Sequence, residues 1–151
     1  MTQTSEKNGR LGVVHADRNL TGIASFGAPF EVRKFKKGRL ELVKIAGATI
    51  GRVILEAGWR WSKHVKPIVK TKSCLARHLF YEVSGILKIR FEDGKEMECH
   101  PGDIAYVPIG HDAWVVGDEP VVAVDFLGML DYAHVPIVNP KNRLSAFDYA
   151  T

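Results

Sequence analysis

Between Leu40 and Phe126 the chain is a succession of short apolar stretches, cut by Gly-, Pro- and Asp-containing turn signals every ~8–12 residues. No long segment carries a convincing helical period. Leu40–Ala46 alternates apolar and polar positions, and Ala48–Glu56 follows after Gly47, which predicts a hairpin. Strands are predicted at Leu79–Ser84 and Ile86–Phe91, divided by Gly85, with Glu92-Asp93-Gly94 as a hairpin turn and Lys95–Cys99 returning. Pro101-Gly102-Asp103 turns the chain into Ile104–Val107, which Pro108 and Gly110 end. A short strand at Trp114–Val116 and a nearly continuous apolar run at Val121–Phe126 complete the set. The last run is expected to be buried on both faces. This spacing specifies an all-β sandwich or closed barrel. Residues 1–19 read as a loose polar arm, 20–130 as the barrel, and 131–151 as an irregular tail in which Asn142–Ala150 could form one short helix.

At 151 residues with 46% hydrophobic content, the chain suits one domain with a real core. No apolar run approaches the roughly 20 residues that span a bilayer, and no membrane partner is expected. The polar N-terminal segment lacks an apolar signal core, and Cys74 and Cys99 form no C-x-x-C pair, so a reducing cytoplasm is expected. The formal charge is +4, but it is unevenly spread. From Ala57 to Tyr81 there is no acid, against Arg60, Lys63, Lys66, Lys70, Lys72 and Arg77. This stretch is either a solvated surface or a positive rim that attracts an anionic ligand. Nucleic acid is not expected, because neither a helix-turn-helix nor an aromatic–basic RNA signature is present.

The spacing Gly102-x5-Pro108-x-Gly110, opened by Pro101-Gly102-Asp103, resembles the second sequence motif of the cupin superfamily. Tyr81-Glu82-Val83-Ser84-Gly85, followed by a strand and Asp93-Gly94, resembles the end of the first motif. The segment Gly110–Pro120 is similar to that of small single-domain bacterial cupin-domain proteins of largely uncharacterised function. The resemblance implies a double-stranded β-helix, the cupin or jelly-roll barrel, commonly assembled as a dimer. It does not fix a function, because one fold hosts many.

Cupin metal sites usually take an H-x-H pair, a Glu seven positions before the motif glycine, and a His from the second motif. Aligned on Gly85, the Glu position holds His78, the two His positions hold Lys72 and Cys74, and the second-motif His position holds Ala113. The pattern departs from the family at every metal position. An alignment with an insertion would instead place His64 and Lys66 in the H-x-H pair. A different donor set is nevertheless present in Cys74, His78 and His111, which suit zinc or another borderline divalent metal. On a straight strand Cys74 and His78 would stand roughly 13 Å apart, so they can meet only if the chain curls before Leu75. The bland alternatives are a packing cysteine, a core histidine satisfied by a carbonyl, and a His111 that braces its own loop. Lys72, on the His78 face by parity, would oppose a cation unless turned outward.

Phe80 and Glu82 share the parity of His78, and Tyr106 and Trp114 flank the second-motif loop. With Lys72, His78 and His111, residues Phe80, Tyr106 and Trp114 are the expected lining of a ligand pocket. Trp59 and Trp61 read as core or dimer packing, Cys99 as packing or a free thiol, and His15, His100 and His134 as surface residues. The leading expectation is a cupin module that binds a small molecule, with Lys72 favouring an anion. The alternative is a metal-dependent enzyme of oxygenase or isomerase type using Cys74, His78 and His111. Whether the chain is an enzyme stays open at this level. A homodimer is expected, with the Leu40–Glu56 hairpin or the apolar stretch Val135–Val138 as its surface.

Overall fold

The computed structural model describes residues 22–130 and 132–134. The polar arm, the Val135–Val138 stretch and the terminal helix expected at Asn142–Ala150 lie outside the described residues. Within them the strands are β1 (Glu31–Phe35), β2 (Gly38–Ile45), β3 (Ala48–Leu55), β4 (His78–Ser84), β5 (Ile86–Phe91), β6 (Glu96–Cys99), β7 (Ile104–Val107), β8 (His111–Val116) and β9 (Val121–Asp125). Two one-turn helices, α1 (Trp61–His64) and α2 (Lys66–Val69), follow β3.

Turn chemistry fixes the hairpins. Ala46 and Gly47 both take positive φ between β2 and β3, the backbone that a two-residue hairpin loop requires. After β5 the Gly94 amide donates to the Phe91 carbonyl, and Gly94 supplies the left-handed residue (φ 84°). Gly85 (φ 73°) carries the chain out of β4 into β5 and so from one sheet to the other. A Cβ there would collide with the Pro120 backbone.

All strand pairings are antiparallel and fall into two sheets, β1-β2-β3-β9-β4-β7 and β6-β5-β8. From β4 to β9 the chain passes back and forth between them, which is the jelly-roll, double-stranded β-helix topology expected from the turn spacing. Alternate residues of most strands enter a common interior built on Leu40, Leu42, Ile89, Val107 and Val121. Trp59 and Trp61 belong to this core, the first of the two roles expected of them.

Three local expectations are corrected. β9 alternates instead of being buried on both faces: Val121, Ala123 and Asp125 point inward, while Val122 and Val124 are half-buried. β1 went unread because its inward positions carry a polar pair, Glu31 and Arg33, whose side chains are 2.7 Å apart, so the alternation has no apolar signal. The basic connection after Gly58 contains α1 and α2, each only four residues long, too short to show a period. Pro67 sits in the first turn of α2, where its missing N–H is not needed.

Candidate metal centre

Cys74, His78 and His111 come together. All three are buried, and one ligand atom from each lies within 4.8 Å of the other two. Cys74 reaches His78 because residues 75–77 belong to no strand; β4 begins at His78 itself. The chain curls there, and Cys74 Sγ stands 3.6 Å from His78 Nε2. Backbone pairing holds the turn. The Cys74 amide donates to the His111 carbonyl (2.9 Å), and the Gly110 amide donates to the Cys74 carbonyl (2.8 Å).

Each imidazole has its second nitrogen engaged. His78 Nδ1 donates to Asp125 Oδ2 at 2.6 Å, and His111 Nδ1 donates to the Pro108 carbonyl at 2.7 Å. These bonds fix both ring orientations and leave Nε2 of each ring as the atom that would bind an ion, the arrangement of metal-ligating histidines. Asp125 is itself locked: its Oδ1 accepts the Leu127 amide (2.9 Å) and the Leu79 amide (3.3 Å). The two rings meet edge to face, with centroids 5.3 Å apart.

Electrostatics prepares the thiol as a ligand. Burial pushes the Cys74 thiol up, but hydrogen bonds from His111 and His78, and their charge, outweigh it and bring the pKa down to about 6. Burial pushes His78 down, yet the hydrogen bonds to Asp125 and Cys74 prevail and raise it to about 9. Both shifts favour a thiolate beside an imidazolium when no ion is bound. A divalent cation would replace the His78 proton as the positive charge, so the donor set fits a metal of the zinc type.

A cavity of about 50 Å³ adjoins the centre. It is lined by His78, His111, Asp125, Phe80 and a wall of apolar side chains. Such a volume holds a few waters or one very small molecule. Residues after β9 complete its lining. Met129 and Tyr132 are buried against it, and the Tyr132 ring lies 5.7 Å from the His78 ring. Arg33 straps this segment down by donating to the Tyr132 (2.7 Å) and Met129 (3.3 Å) carbonyls.

Of the residues expected to line a ligand pocket, His78, Phe80 and His111 do so. Three do not. Lys72 is exposed, in an open surface groove with Lys66 and Lys70, because the chain bends at residues 72 and 73, so the inward phase that Cys74 shares with His78 does not reach back to it. Tyr106 is 56% exposed, since Ala105 and Val107 take the inward positions of β7. Trp114 faces outward from β8, its ring between Arg60 and Arg90 at 4.5 and 5.3 Å. Glu82 does point inward but lies beyond the cavity, fully buried, with neither carboxylate oxygen hydrogen-bonded among the described residues. Cys99 is buried and His100 and His134 are exposed, as expected, while His15 lies outside the described residues. His64 does not join the donor cluster; its Nδ1 accepts the Arg60 amide at 2.9 Å. Asp112 braces its surroundings by accepting the Ser62 and Ala113 amides and pairing with Arg60. Asp125, Met129 and Tyr132 went unread. An acid that ends an apolar strand in phase with its inward residues was the available signal for Asp125.

No protein-family model matches the sequence, and no curated protein sequence is significantly similar to it. Solved structures of similar shape include oxalate decarboxylase from Lactobacillus farciminis in a formate complex, with 16% identity and a TM-score of 0.48 over 65% of this chain. The chain spans only 30% of that protein. A protein of unknown function from Acidithiobacillus ferrooxidans is 18% identical, covering 68% of this chain and 97% of its own, with a TM-score of 0.48. A cupin-like protein from Thermotoga maritima is 14% identical, covering 60% and 70%, with a TM-score of 0.44. By its own strand order, two antiparallel sheets interleaved along the chain around one interior, this chain has the jelly-roll, double-stranded β-helix fold.

Proposed function

We propose that this chain binds one divalent transition metal through Cys74, His78 and His111 and uses it on a very small, largely apolar molecule held in the barrel. The observation that carries the reading is the convergence of three buried donors whose two imidazoles are each fixed through Nδ1. Three protein ligands beside a cavity resemble catalytic metal sites more than closed structural ones. A metal held there would supply a Lewis acid, or a redox centre if the ion is redox-active. The residues of the chain would do the rest. Asp125 would hold the His78 ring and its tautomer, the apolar wall would exclude bulk water, and Tyr132 and Met129 would limit the size of what enters. The reading departs from an anionic ligand, because Lys72 lies outside the cavity.

Elemental analysis of protein purified without added metal tests this. About one equivalent of metal is expected in the wild type, and little in His78→Ala or Cys74→Ser. Cobalt substitution should add a thiolate-to-cobalt charge-transfer band that Cys74→Ser loses. Protein that takes up no ion after supplementation would refute the reading.

A second reading is favoured by one observation, the order Cys74–His78–Asp125 with contacts of 3.6 and 2.6 Å. That order would suit a metal-free thiolate nucleophile oriented by an imidazole and a carboxylate. Rapid alkylation of Cys74 in the protein as purified, unaffected by a chelator, would favour it. Alkylation that appears only after chelation would favour the metal.

A further inference from the structure

Two basic runs far apart in the sequence are folded onto one surface. Lys36 and Lys37 form the turn between β1 and β2, and Lys37 Nζ donates to the Ala57 carbonyl (3.1 Å), on the connection that leads into α1. Lys63 lies on α1, and burial together with the charges of Lys36, Lys37 and Lys63 holds the His64 pKa below its ordinary value. Lys66, Lys70 and Lys72 continue the surface along the open groove beside α2. None of these six lysines pairs with a carboxylate among the described residues. The arginines behave differently: Arg33, Arg39, Arg52, Arg60 and Arg90 each hold an acid. Glu56, whose amide donates to the Lys37 carbonyl, and Glu92, which accepts the Ser73 hydroxyl, stand at the two ends of the surface. Asp112, which holds Ser62 in the groove wall, is already paired with Arg60. At the Lys72 end two apolar side chains stand in solvent. Leu75 is 59% and Ile109 51% exposed, and they flank the hydrogen bond from the Gly110 amide to the Cys74 carbonyl.

We propose that this surface docks the protein on an anionic lipid bilayer, with the six lysines at the headgroups and Leu75 and Ile109 entering the interface beside them. Such a bilayer offers fixed negative charge and, just beneath it, hydrocarbon, which matches unpaired lysines set next to exposed apolar side chains. A nucleic acid matches the surface less well. The arginines that could grip a phosphate in two places are occupied by acids, and Leu75 and Ile109 give no ring for a base to stack on. No apolar run is long enough to span a bilayer, but attachment at its surface needs none. Docked this way, the backbone bridge between Cys74 and His111 comes to lie against the lipid.

Sedimentation of the full chain with vesicles of phosphatidylserine and phosphatidylcholine in equal parts tests this. Binding is expected at low salt and should weaken as salt rises, with little binding to phosphatidylcholine alone. Lys66→Gln/Lys70→Gln/Lys72→Gln should weaken it roughly 100-fold, at about fivefold per lysine. Leu75→Ser/Ile109→Ser, which leaves every charge in place, should weaken it several-fold and keep its salt dependence. Equal binding to both kinds of vesicle overturns the proposal, as does no binding, or an affinity unchanged in either folded variant. Tighter binding to duplex DNA or to RNA than to the vesicles at the same salt also overturns it, by assigning the lysines to nucleic acid. If a variant does not fold, wild-type hydrogen exchange decides. Slowing at residues 66–75 and 108–111 on addition of the anionic vesicles supports docking through this surface, and slowing elsewhere or nowhere overturns it.

Discussion

Asp125 illustrates how much of the site rests on one side chain outside the donor set. Its carboxylate holds His78 Nδ1 with one oxygen and two backbone amides with the other. Asp125→Asn keeps the shape and the amide contacts but removes the charge that opposes the ring. Metal affinity should fall about 10- to 100-fold, as for other partners of ligating histidines. Competition against a chelator of known affinity measures it, and an unchanged affinity would mean that the ring is oriented by packing alone. At this scale the sequence identified Cys74, His78 and His111 as the donors available, but not their convergence. Residue type reveals donor chemistry, whereas the partner that tunes it comes from 47 residues away on β9. Lys72, Tyr106 and Trp114 failed for a plainer reason, since the inward or outward sense of a side chain depends on where each strand begins.

The elements were legible where turn residues mark their ends. β5 and β7 fall where the punctuation around Gly85, Gly94, Gly102 and Pro108 put them. The curl at residues 75–77 has no such marker, and it decides whether a site exists. Gly85 allows a sharp test of the punctuation. Gly85→Ala meets both an unfavourable φ and a collision with the Pro120 backbone. A loss of roughly 2–4 kcal/mol is expected in denaturant unfolding; a loss under 1 kcal/mol would mean that the crossover between sheets relaxes freely. The segment after β9 gives a second test. Arg33→Ala releases the Met129 and Tyr132 carbonyls without touching a donor. Stopped-flow chelation should then extract a bound ion several-fold faster with little change in equilibrium affinity. An unaltered rate would show that the segment is held by its apolar contacts alone.

For the molecule as a whole, burial of Glu82 is a standing liability. Burial, with a smaller contribution from Asp103, raises its pKa from 4.5 to about 8. Between those two values the unfolded chain gives up this proton while the native chain keeps it. Stability should therefore fall as pH rises across that window and level off above it. Glu82→Gln should flatten the decline. The same variant should be more stable than wild type above pH 8, because an amide has no proton to lose on unfolding. Denaturant midpoints at pH 5 and pH 8.5 for both proteins measure the effect, and parallel profiles would assign the decline to other groups. The overall fold was legible because a barrel of short strands is specified by many independent turns. Glu82 was legible only as an inward residue, since the lack of a partner depends on the whole surrounding wall.

The short backbone bridge between Cys74 and His111 also acts as a clasp. One side of it leads into β4 of the larger sheet, and the other opens β8 of the smaller. The mouth of the barrel cannot spread there without separating the donors, nor can the donors separate without releasing the amides of Cys74 and Gly110. Those two protons are therefore a built-in gauge of occupancy. An ion at the centre should slow their exchange more than that of amides in β2, whose hydrogen bonds lie away from the clasp.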